Sequence, residues 1–236
     1  TEDENSDDTG DSPVVGVTVT LLDESGAVVA TTETDTSGSY VFSDLPVGTY
    51  SVVQTNLPNF IDVTDTDGPL SGGSNHDLDS TIVAVTLEPG ENKTDQDFVD
   101  EELRTIGGEV LEDTDNDGTG DEPIPGATLE LVAPNGTVIA TTTTDSEGMF
   151  EFTGVVPNNP GEPYTVEQTN NDGFEDVDDS DGTENGTTLN QIKVDVSGGD
   201  VTDNFFVDEV ASSSAPSGAP SVSSKPSGFI LGSIAG

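Results

Sequence analysis

Acidic side chains at alternate positions around a glycine mark the part of this chain best suited to chemistry. Residues 113–121 read Asp-Thr-Asp-Asn-Asp-Gly-Thr-Gly-Asp. Carboxylates at this spacing can converge on one hard cation, and Ca²⁺ accepts roughly six to eight oxygen ligands. Ile124 stands where an EF-hand loop would carry its glutamate, so a further ligand must come from Asp145 or from a second acidic loop. The predicted calcium ligands of this loop are Asp113, Asp115, Asp117 and Asp121, with Gly118 permitting the turn.

A related loop stands at the start of the chain, where residues 3–11 read Asp-Glu-Asn-Ser-Asp-Asp-Thr-Gly-Asp. Asp8 takes the place of Gly118, and a left-handed turn costs an aspartate more than it costs a glycine. We therefore predict a weaker calcium site in this loop. Its predicted ligands are Asp3, Asn5, Asp7 and Asp11.

A second type of acidic loop also occurs twice, at residues 62–68 and 176–182. Clustered carboxylates repel one another, and a bound cation reverses that repulsion. The sequence therefore predicts further calcium sites here, with a solvated loop as the alternative, and Asp100 and Asp208 are spare candidates. The predicted ligands are Asp65 and Asp67 in the first copy and Asp179 and Asp181 in the second.

These loops belong to a tandem duplication, because residues 16–56 and 126–170 align turn for turn. Within each copy, apolar residues alternate with polar ones, and glycine-bearing turns interrupt at short intervals. This pattern is typical of short strands in a sandwich, and no segment has the pattern of an amphipathic helix. We therefore predict an all-β protein with two tandem Ig-like β-sandwiches.

The charge of the chain limits its partners. It has 236 residues, with 48 acidic and 4 basic side chains and a formal net charge of −44. Such a chain repels nucleic acids and anionic membranes, and no apolar run is long enough to span a bilayer. It folds well only where cations neutralise part of the charge, either divalent ions in sites or a saline medium. Catalysis is not expected, because the single histidine, His76, has no partner motif.

Composition divides the chain into four predicted parts. Residues 1–102 form a sandwich without its own first strand, and residues 103–210 form a complete one. All 48 acidic residues precede Ala211. A Ser/Pro/Gly linker at 211–228 follows, and residues 229–236 form an apolar strand.

That last strand resembles the opening of the second sandwich, since Ser233-Ile-Ala-Gly236 parallels Thr105-Ile-Gly-Gly108. Either the chain is one period of a longer array, or its last strand completes the open first sandwich of another copy by strand addition. An apolar tail without such a role is the simpler alternative. The predicted assembly residues are Phe229, Ile230, Leu231 and Ile234.

The acidic loop at 113–121, the turn at 124–131 and the segment Thr143–Gly154 occur together and in order. This combination resembles the B repeats of Sdr-type surface adhesins, which belong with the wider Cna-B-like sandwiches. The resemblance covers about 1–102 and 103–210, and it implies calcium-bound modules that form a stiff stalk. Arg104 stands nearest to the position where many Cna-B-like domains carry an isopeptide-forming lysine, so no isopeptide bond is expected.

The first functional hypothesis is thus a calcium-stiffened structural subunit of an extracellular fibre or cell-surface stalk, with copies of itself as partners. The alternatives are an adhesin module that binds a carbohydrate or protein ligand of a cell surface or matrix, or accessory domains of a larger secreted enzyme. Acidity that only adapts the chain to high salt is a further alternative. In a secreted eukaryotic chain, Asn92, Asn135 and Asn185 would be glycosylation candidates.

Overall fold

Strands and turns make up the described part of the protein. The computed structural model describes residues 1–5, 7–68, 79–183 and 188–211, and all structural statements concern these residues. His76, Asn185, nearly all of the predicted linker and the predicted strand at 229–236 lie outside them. No described segment forms a helix long and apolar enough to cross a membrane.

The strands fall into two series that follow the duplication. The first series is β1 (Thr18–Asp23), β2 (Val28–Glu33), β3 (Gly48–Thr55), β4 (Phe60–Asp65), β5 (Thr81–Leu87) and β6 (Phe98–Glu102). The second is β7 (Arg104–Glu112), β8 (Glu122–Pro123), β9 (Thr128–Val132), β10 (Val138–Thr143), β11 (Met149–Val155), β12 (Tyr164–Thr169), β13 (Phe174–Asp179), β14 (Gln191–Val194) and β15 (Val201–Val210).

The second series forms a sandwich of two sheets. One sheet has the order β10-β9-β12-β14, and the other has the order β11-β7-β15-β13 with β8 paired to β7. Only β7 and β15 pair in parallel, and the other pairs are antiparallel. Side chains that alternate along the strands meet between the sheets, where Ile106, Leu129 and Phe206 are fully buried. The all-β fold with tandem sandwiches predicted from the sequence is therefore confirmed.

The first series repeats this arrangement with one difference. Its sheets have the orders β2-β1-β3-β5 and β4-β6. Among the described residues, no strand corresponds to β7 or β11. The chain start takes part of this place: Glu2 pairs in parallel with Asp100, as Glu112 of β7 pairs with Asp208 of β15. Thr1 N donates to Phe98 O at 2.8 Å, and Asp3 N donates to Asp100 O at 2.8 Å. Residues 1–3 therefore pair with β6 as the end of β7 pairs with β15.

The alternation of Tyr40 and Phe42 predicts a strand that the structure does not contain. In the second sandwich, the matching residues Phe150 and Phe152 lie on β11, which pairs with β7. Among the described residues, no strand lies beside Tyr40 as β7 lies beside β11, and the backbone of this segment joins no ladder. Its rings still pack on the core, edge to face at 6.0 Å between centroids, close to the 6.1 Å of Phe150 and Phe152.

The phenylalanines that recur at matched positions of the two repeats, which their pattern predicts to be core residues, are buried to different degrees. Phe98, Phe152 and Phe206 are buried, whereas Phe42, Phe60 and Phe174 are only partly buried.

The junction between the sandwiches is short. Strand β6 ends at Glu102 and β7 begins at Arg104, so Leu103 alone separates them. The Arg104 side chain is buried, and its guanidinium lies 2.9 Å from Glu102 and 3.7 Å from Glu2. Leu103 N donates a hydrogen bond to Asn59 O at 2.7 Å. Leu103 and Arg104 are thus both bonded to residues of the first sandwich.

Candidate metal sites

The loop between β7 and β8 brings three carboxylates together. Oxygens of Asp113, Asp115 and Asp117 all lie within 4.8 Å of one another. Asp113 is buried at the base of the loop, whereas Asp115 and Asp117 are exposed. The negative charge of Asp117 raises the pKa of Asp115, so the group is electrostatically costly without a cation. The donor set, all oxygen and all acidic, suits Ca²⁺.

Hydrogen bonds fix the shape of this loop. Asp113 Oδ1 accepts from Asp117 N at 3.2 Å, and Asp113 Oδ2 accepts from Gly118 N at 2.8 Å. Gly118 has a φ of 87°, a left-handed conformation that glycine adopts at no steric cost. Asp113 N donates to Asp208 O at 2.8 Å. The loop therefore begins directly on the β7–β15 ladder.

The other two predicted ligands of this loop lie outside the group of three. Asp121 Oδ2 accepts from Thr114 N at 2.9 Å and from Thr114 Oγ1 at 2.7 Å, and these bonds lower the pKa of Asp121. Asp145 Oδ1 accepts from Glu147 N at 2.8 Å and from Met149 N at 3.0 Å. Asp145 thus closes the turn between β10 and β11, as Asp35 does in the first sandwich.

The corresponding loop of the first sandwich is related, with Asn5 at the position of Asp115 and Asp11 at the position of Asp121. Oxygens of Asp3, Asp7 and Asp11 lie within 4.8 Å of one another, and Asp3 is buried. Asp8 has a φ of 65° at the position of Gly118, so an aspartate adopts the left-handed turn predicted for it. Asp3 accepts from Asn5 N at 3.2 Å, Asp7 N at 3.2 Å and Asp8 N at 2.7 Å. Asn5 therefore lies in the same turn.

The second type of acidic loop places a carboxylate beside a strand of the opposite sheet. Asp67 Oδ2 accepts from Val83 N of β5 at 2.8 Å, and Asp181 Oδ2 accepts from Lys193 N of β14 at 2.9 Å. Burial raises the pKa of Asp65 and of Asp179 to about 6. Asp67 Oδ1 and Asp179 Oδ2 have no hydrogen-bond partner among the described residues. These pairs can offer oxygen ligands, but among the described residues no third acidic side chain has an oxygen within 4.8 Å of both members of a pair.

A buried polar pair beneath each calcium-type loop was not predicted from the sequence as a unit. Gln54 Nε2 donates to Asp100, and Gln168 Nε2 donates to Asp208. Burial raises the pKa of both aspartates to about 6. The signal was present in both repeats, because β3 and β12 both end in Gln-Thr and are both followed by Asn. Asp208 lies under Asp113 and therefore links the loop to the core.

Acidification is expected to stabilise the calcium-free protein through Asp100 and Asp208. Their pKa rises from an ordinary 3.8 to about 6 on folding, so the folded state binds more protons than the unfolded state between these values. The resulting stability is fully present below pH 3.8 and is lost as the pH rises through about 6. In excess chelator, the thermal midpoint should be several degrees higher at about pH 5 than at about pH 7.5.

Acidification also stabilises the protein by reducing the repulsion among all its carboxylates. A variant must therefore separate this general effect from the effect of Asp100 and Asp208. Asp208→Asn should reduce the pH dependence of the thermal midpoint of the second sandwich. Asp203→Asn, at an exposed position of the same sandwich, should leave that dependence unchanged. Equal pH dependence in both variants would assign the effect to net charge alone.

Two of the predicted glycosylation candidates are accessible. Asn92 and Asn135 are exposed, and Asn135 lies in the turn between β9 and β10.

Two β-sandwiches in tandem, each opened by an acidic loop of converging carboxylates, define the class of Cna-B-like sandwich repeats. The chain belongs to the family of SdrD B-like domains, whose family model matches residues 1–99 and 104–206. The resemblance seen in the sequence is therefore confirmed. Membership of this family of surface-protein domains places the chain outside the cell, at the cell surface.

Relatives with curated descriptions agree with this family. The chain is 34% identical over 189 residues to serine-aspartate repeat-containing protein D of Staphylococcus aureus strain Newman, covering 78% of this chain and 14% of that protein. It is 33% identical over 172 residues to serine-aspartate repeat-containing protein F of Staphylococcus epidermidis, covering 70% of this chain and 10% of that protein. The chain thus spans a small part of the length of these relatives.

Solved structures with similar strand arrangements include the shaft pilin SpaA of Lactobacillus rhamnosus GG, at 14% identity and a TM-score of 0.36, covering 86% of this chain and 90% of that one. A single B repeat unit of the collagen-binding surface protein of Staphylococcus aureus has 14% identity and a TM-score of 0.28, covering 89% of this chain and 93% of that one.

Proposed function

We propose that this chain is a structural unit of an extracellular fibre or cell-surface stalk, in which calcium stiffens two sandwiches that are joined end to end. The observation that carries the proposal is the pair of converging carboxylate groups, Asp3/Asp7/Asp11 and Asp113/Asp115/Asp117, one at the start of each sandwich. Their repetition at equivalent places favours a role in the architecture of each module over a single binding or catalytic site.

Calcium would act where each loop joins its sandwich. Asp3 N donates to Asp100 O at 2.8 Å, and Asp113 N donates to Asp208 O at the same distance. A cation held by the loop would therefore order the end of the sheet that contains β6 or β15. It would also offset part of the net charge of −44, which otherwise favours expansion.

The junction supports a stiff connection between the modules. The one-residue link at Leu103 and the buried Arg104, with its two acidic partners, leave little free chain between β6 and β7. We propose the module limits 1–102 and 103–210, followed by a linker at 211–228 and a strand at 229–236.

End-to-end growth has two proposed routes. The modules continue covalently in a longer chain, or residues 229–236 add to the first sandwich of another copy. In both routes, the main partner of this chain is a second set of the same modules. A cell-surface or matrix ligand would bind at the end of the stalk.

The composition of the exposed surface favours a structural role over an adhesive tip or an enzyme accessory domain. The exposed large apolar residues among the described part of the chain are Val, Ile and Met, with no aromatic ring that could stack on a sugar. The converging carboxylates belong to repeated loops, and we propose that the chain is not an enzyme.

Calcium removal is expected to soften and destabilise the chain. Ca²⁺ at about a hundred times its dissociation constant stabilises a folded domain by about 2.7 kcal/mol. The thermal midpoint should therefore fall by roughly 10 °C or more when EGTA replaces Ca²⁺ at constant ionic strength. Small-angle scattering should show a shorter maximum dimension as the modules lose their fixed orientation.

Sodium chloride separates this proposal from simple adaptation to salt. Under the proposal, about 1 M NaCl restores only part of the midpoint lost in EGTA, because screening does not replace a coordinated ion. A midpoint that follows NaCl and ignores both EGTA and Ca²⁺ would overturn the calcium role.

A further inference from the structure

Two amide side chains of the second sandwich hold buried oxygens that no donor satisfies. Gln168 of β12 is 3% exposed, and its Nε2 donates to Asp208 Oδ2 of β15 in the opposite sheet. Asn170 follows β12, and its Nδ2 donates to Asp176 Oδ1 of β13 at 2.7 Å. We call these four residues the amide cluster. Three of its oxygens are buried without a hydrogen-bond partner among the described residues: Gln168 Oε1, Asn170 Oδ1 and Asp208 Oδ1.

The two carboxylates fix the orientation of both amides. At neutral pH, rotating either amide by half a turn would point its carbonyl oxygen at a carboxylate oxygen, and two acceptors would then face each other. The unpartnered amide atoms are therefore the oxygens. A buried acceptor without a donor costs free energy, and native proteins contain few of them. Three such oxygens on side chains that contact one another indicate a partner with positive charge or donor hydrogens.

Charge makes the same place unfavourable without a cation. In register across the sheet, Asp208 lies between Glu112 of β7 and Asp176 of β13, so three acidic residues stand side by side. Like charges directly opposite each other destabilise a sheet. Burial raises the pKa of Asp208 to about 6, the hydrogen bond from Gln168 opposes this shift, and the charge of Asp176 adds to it. None of the ion pairs in the described part of the chain involves these three acidic residues.

The first sandwich has the same four residue types, but a hydroxyl closes the cluster. Gln54, Asn56, Asp62 and Asp100 hold the equivalent positions. The Ser80 hydroxyl contacts Asn56 Oδ1 at 3.0 Å and also contacts Asp62 Oδ1. Gln54 Nε2 reaches Asn56 Oδ1 as well, at 2.9 Å. Among these four side chains, Asp100 Oδ1 is the one buried oxygen without a partner in the described part of the chain.

The residue that differs between the two clusters is Asn190. Gln54 N donates to Ser80 O at 2.8 Å, and Gln168 N donates to Asn190 O at 2.9 Å, so Asn190 takes the place of Ser80. The Asn190 side-chain oxygen accepts from Thr188 Oγ1. Asn170 Oδ1 therefore lacks the hydroxyl contact that its counterpart has in the first sandwich, and the second cluster stays open.

We infer that the amide cluster of the second sandwich binds a calcium ion through Gln168 Oε1, Asn170 Oδ1 and Asp208 Oδ1. Asp176 is exposed and offers the carboxylate through which the ion enters from solvent. The inference rests on the proposed calcium role and adds a site separate from the acidic loop at 113–121. Because Gln168 and Asp208 belong to opposite sheets, an ion between them would clamp the two sheets of the sandwich together.

The donor set favours Ca²⁺ over water and over a monovalent ion. The cluster offers only oxygens, from two carboxylates and two amide carbonyls, and Ca²⁺ binds such oxygens in flexible geometry. A water molecule donates two hydrogens to three unpartnered oxygens and leaves the charge of Asp176 and Asp208 unchanged. Na⁺ would neutralise only one of these two charges, whereas Ca²⁺ neutralises both.

Counting the ions on the full-length chain tests the site. Native mass spectrometry in Ca²⁺ should show one ion fewer for Gln168→Leu, which removes the amide oxygen and keeps a side chain of similar size. The matched control is Gln54→Leu, the same change at the equivalent position of the first sandwich, and its ion count should equal that of the parent. An unchanged count in Gln168→Leu, or an equal loss in both variants, would overturn the site.

A second variant covers the case in which Gln168→Leu destabilises the sandwich. Asn170 is only partly buried, so Asn170→Ala should leave the fold intact. In calorimetric titration, the affinity for one ion should fall at least about tenfold, as it does when metal sites lose a polar contact. Asn56→Ala, its control in the first sandwich, should change no affinity.

The remaining outcomes separate this site from the proposed function. If Asn170→Ala keeps every affinity while Ca²⁺ still raises the thermal midpoint of the parent, the calcium-stiffened stalk stands and only this site is wrong. If Na⁺ at equal ionic strength protects the parent but not Asn170→Ala, the ion is monovalent and the assignment to Ca²⁺ is wrong. A parent chain that binds no Ca²⁺ at all would overturn the proposed function itself.

Discussion

Replacing Asp113 by asparagine is expected to remove calcium binding from the second sandwich. Asp113 is the buried member of its carboxylate group, and both of its oxygens accept backbone N–H bonds that shape the loop. Asparagine removes the charge nearest to the base of the site and leaves one oxygen where two are used. The number of bound ions in calorimetric titration should fall by one, with the site of the first sandwich retained.

The loss of this ion should appear in stability as well. At calcium about a hundred times the dissociation constant, the variant forgoes about 2.7 kcal/mol of linkage stabilisation. For a domain of about 100 residues, this lowers the midpoint of the second transition by roughly 10 °C or more. In EGTA, the difference between variant and parent should shrink to about 1 kcal/mol, the scale of the lost hydrogen bond to Gly118 N.

Asp203→Asn supplies the matched control, because it removes the same charge from an exposed position on β15 of the same sandwich. It should leave both stoichiometry and midpoint unchanged. An Asp113 variant that still binds the full number of ions would show that the converging carboxylates are not the site.

The spacing of acidic residues predicted the centre of each candidate site better than its edges. Asp113, Asp115 and Asp117 are separated by single residues around a tight turn, so local geometry alone brings them together. Asp145 is distant in sequence and was proposed only to complete the ligand set, whereas its bonds to Glu147 and Met149 form a turn. Distant ligands depend on tertiary packing, which a local pattern does not encode.

The strands were predictable wherever apolar residues alternate, and less so elsewhere. Strand β13 reads Phe-Glu-Asp-Val-Asp-Asp, so its composition suggests a loop, yet it pairs with β15 along its length. Conversely, Tyr40 and Phe42 alternate as in a strand but pair with no strand in the described part of the chain. In both places, the neighbouring strand decides the conformation, and β propensity is only a weak local preference.

Gly108 and Gly107, adjacent on β7, should respond very differently to alanine. A Cβ on Gly108 would lie 2.2 Å from Asn204 O, which is backbone and cannot rotate away. The β7–β15 ladder must open to accept it, and overpacking of this kind costs about 3 kcal/mol. A Cβ on Gly107 would lie 3.2 Å from Phe150 O and 3.7 Å from Thr202, so a small shift suffices and the cost should stay below about 1 kcal/mol.

Calorimetry in saturating calcium checks this pair. Gly108→Ala should lower the second transition by roughly 12 °C or more, and Gly107→Ala by no more than a few degrees. Equal effects would mean that β7 can slide within its sheet and that the contact with Asn204 O does not exclude a side chain at Gly108. Unequal effects establish that this strand position selects residues by size, because backbone atoms on both neighbouring strands enclose it.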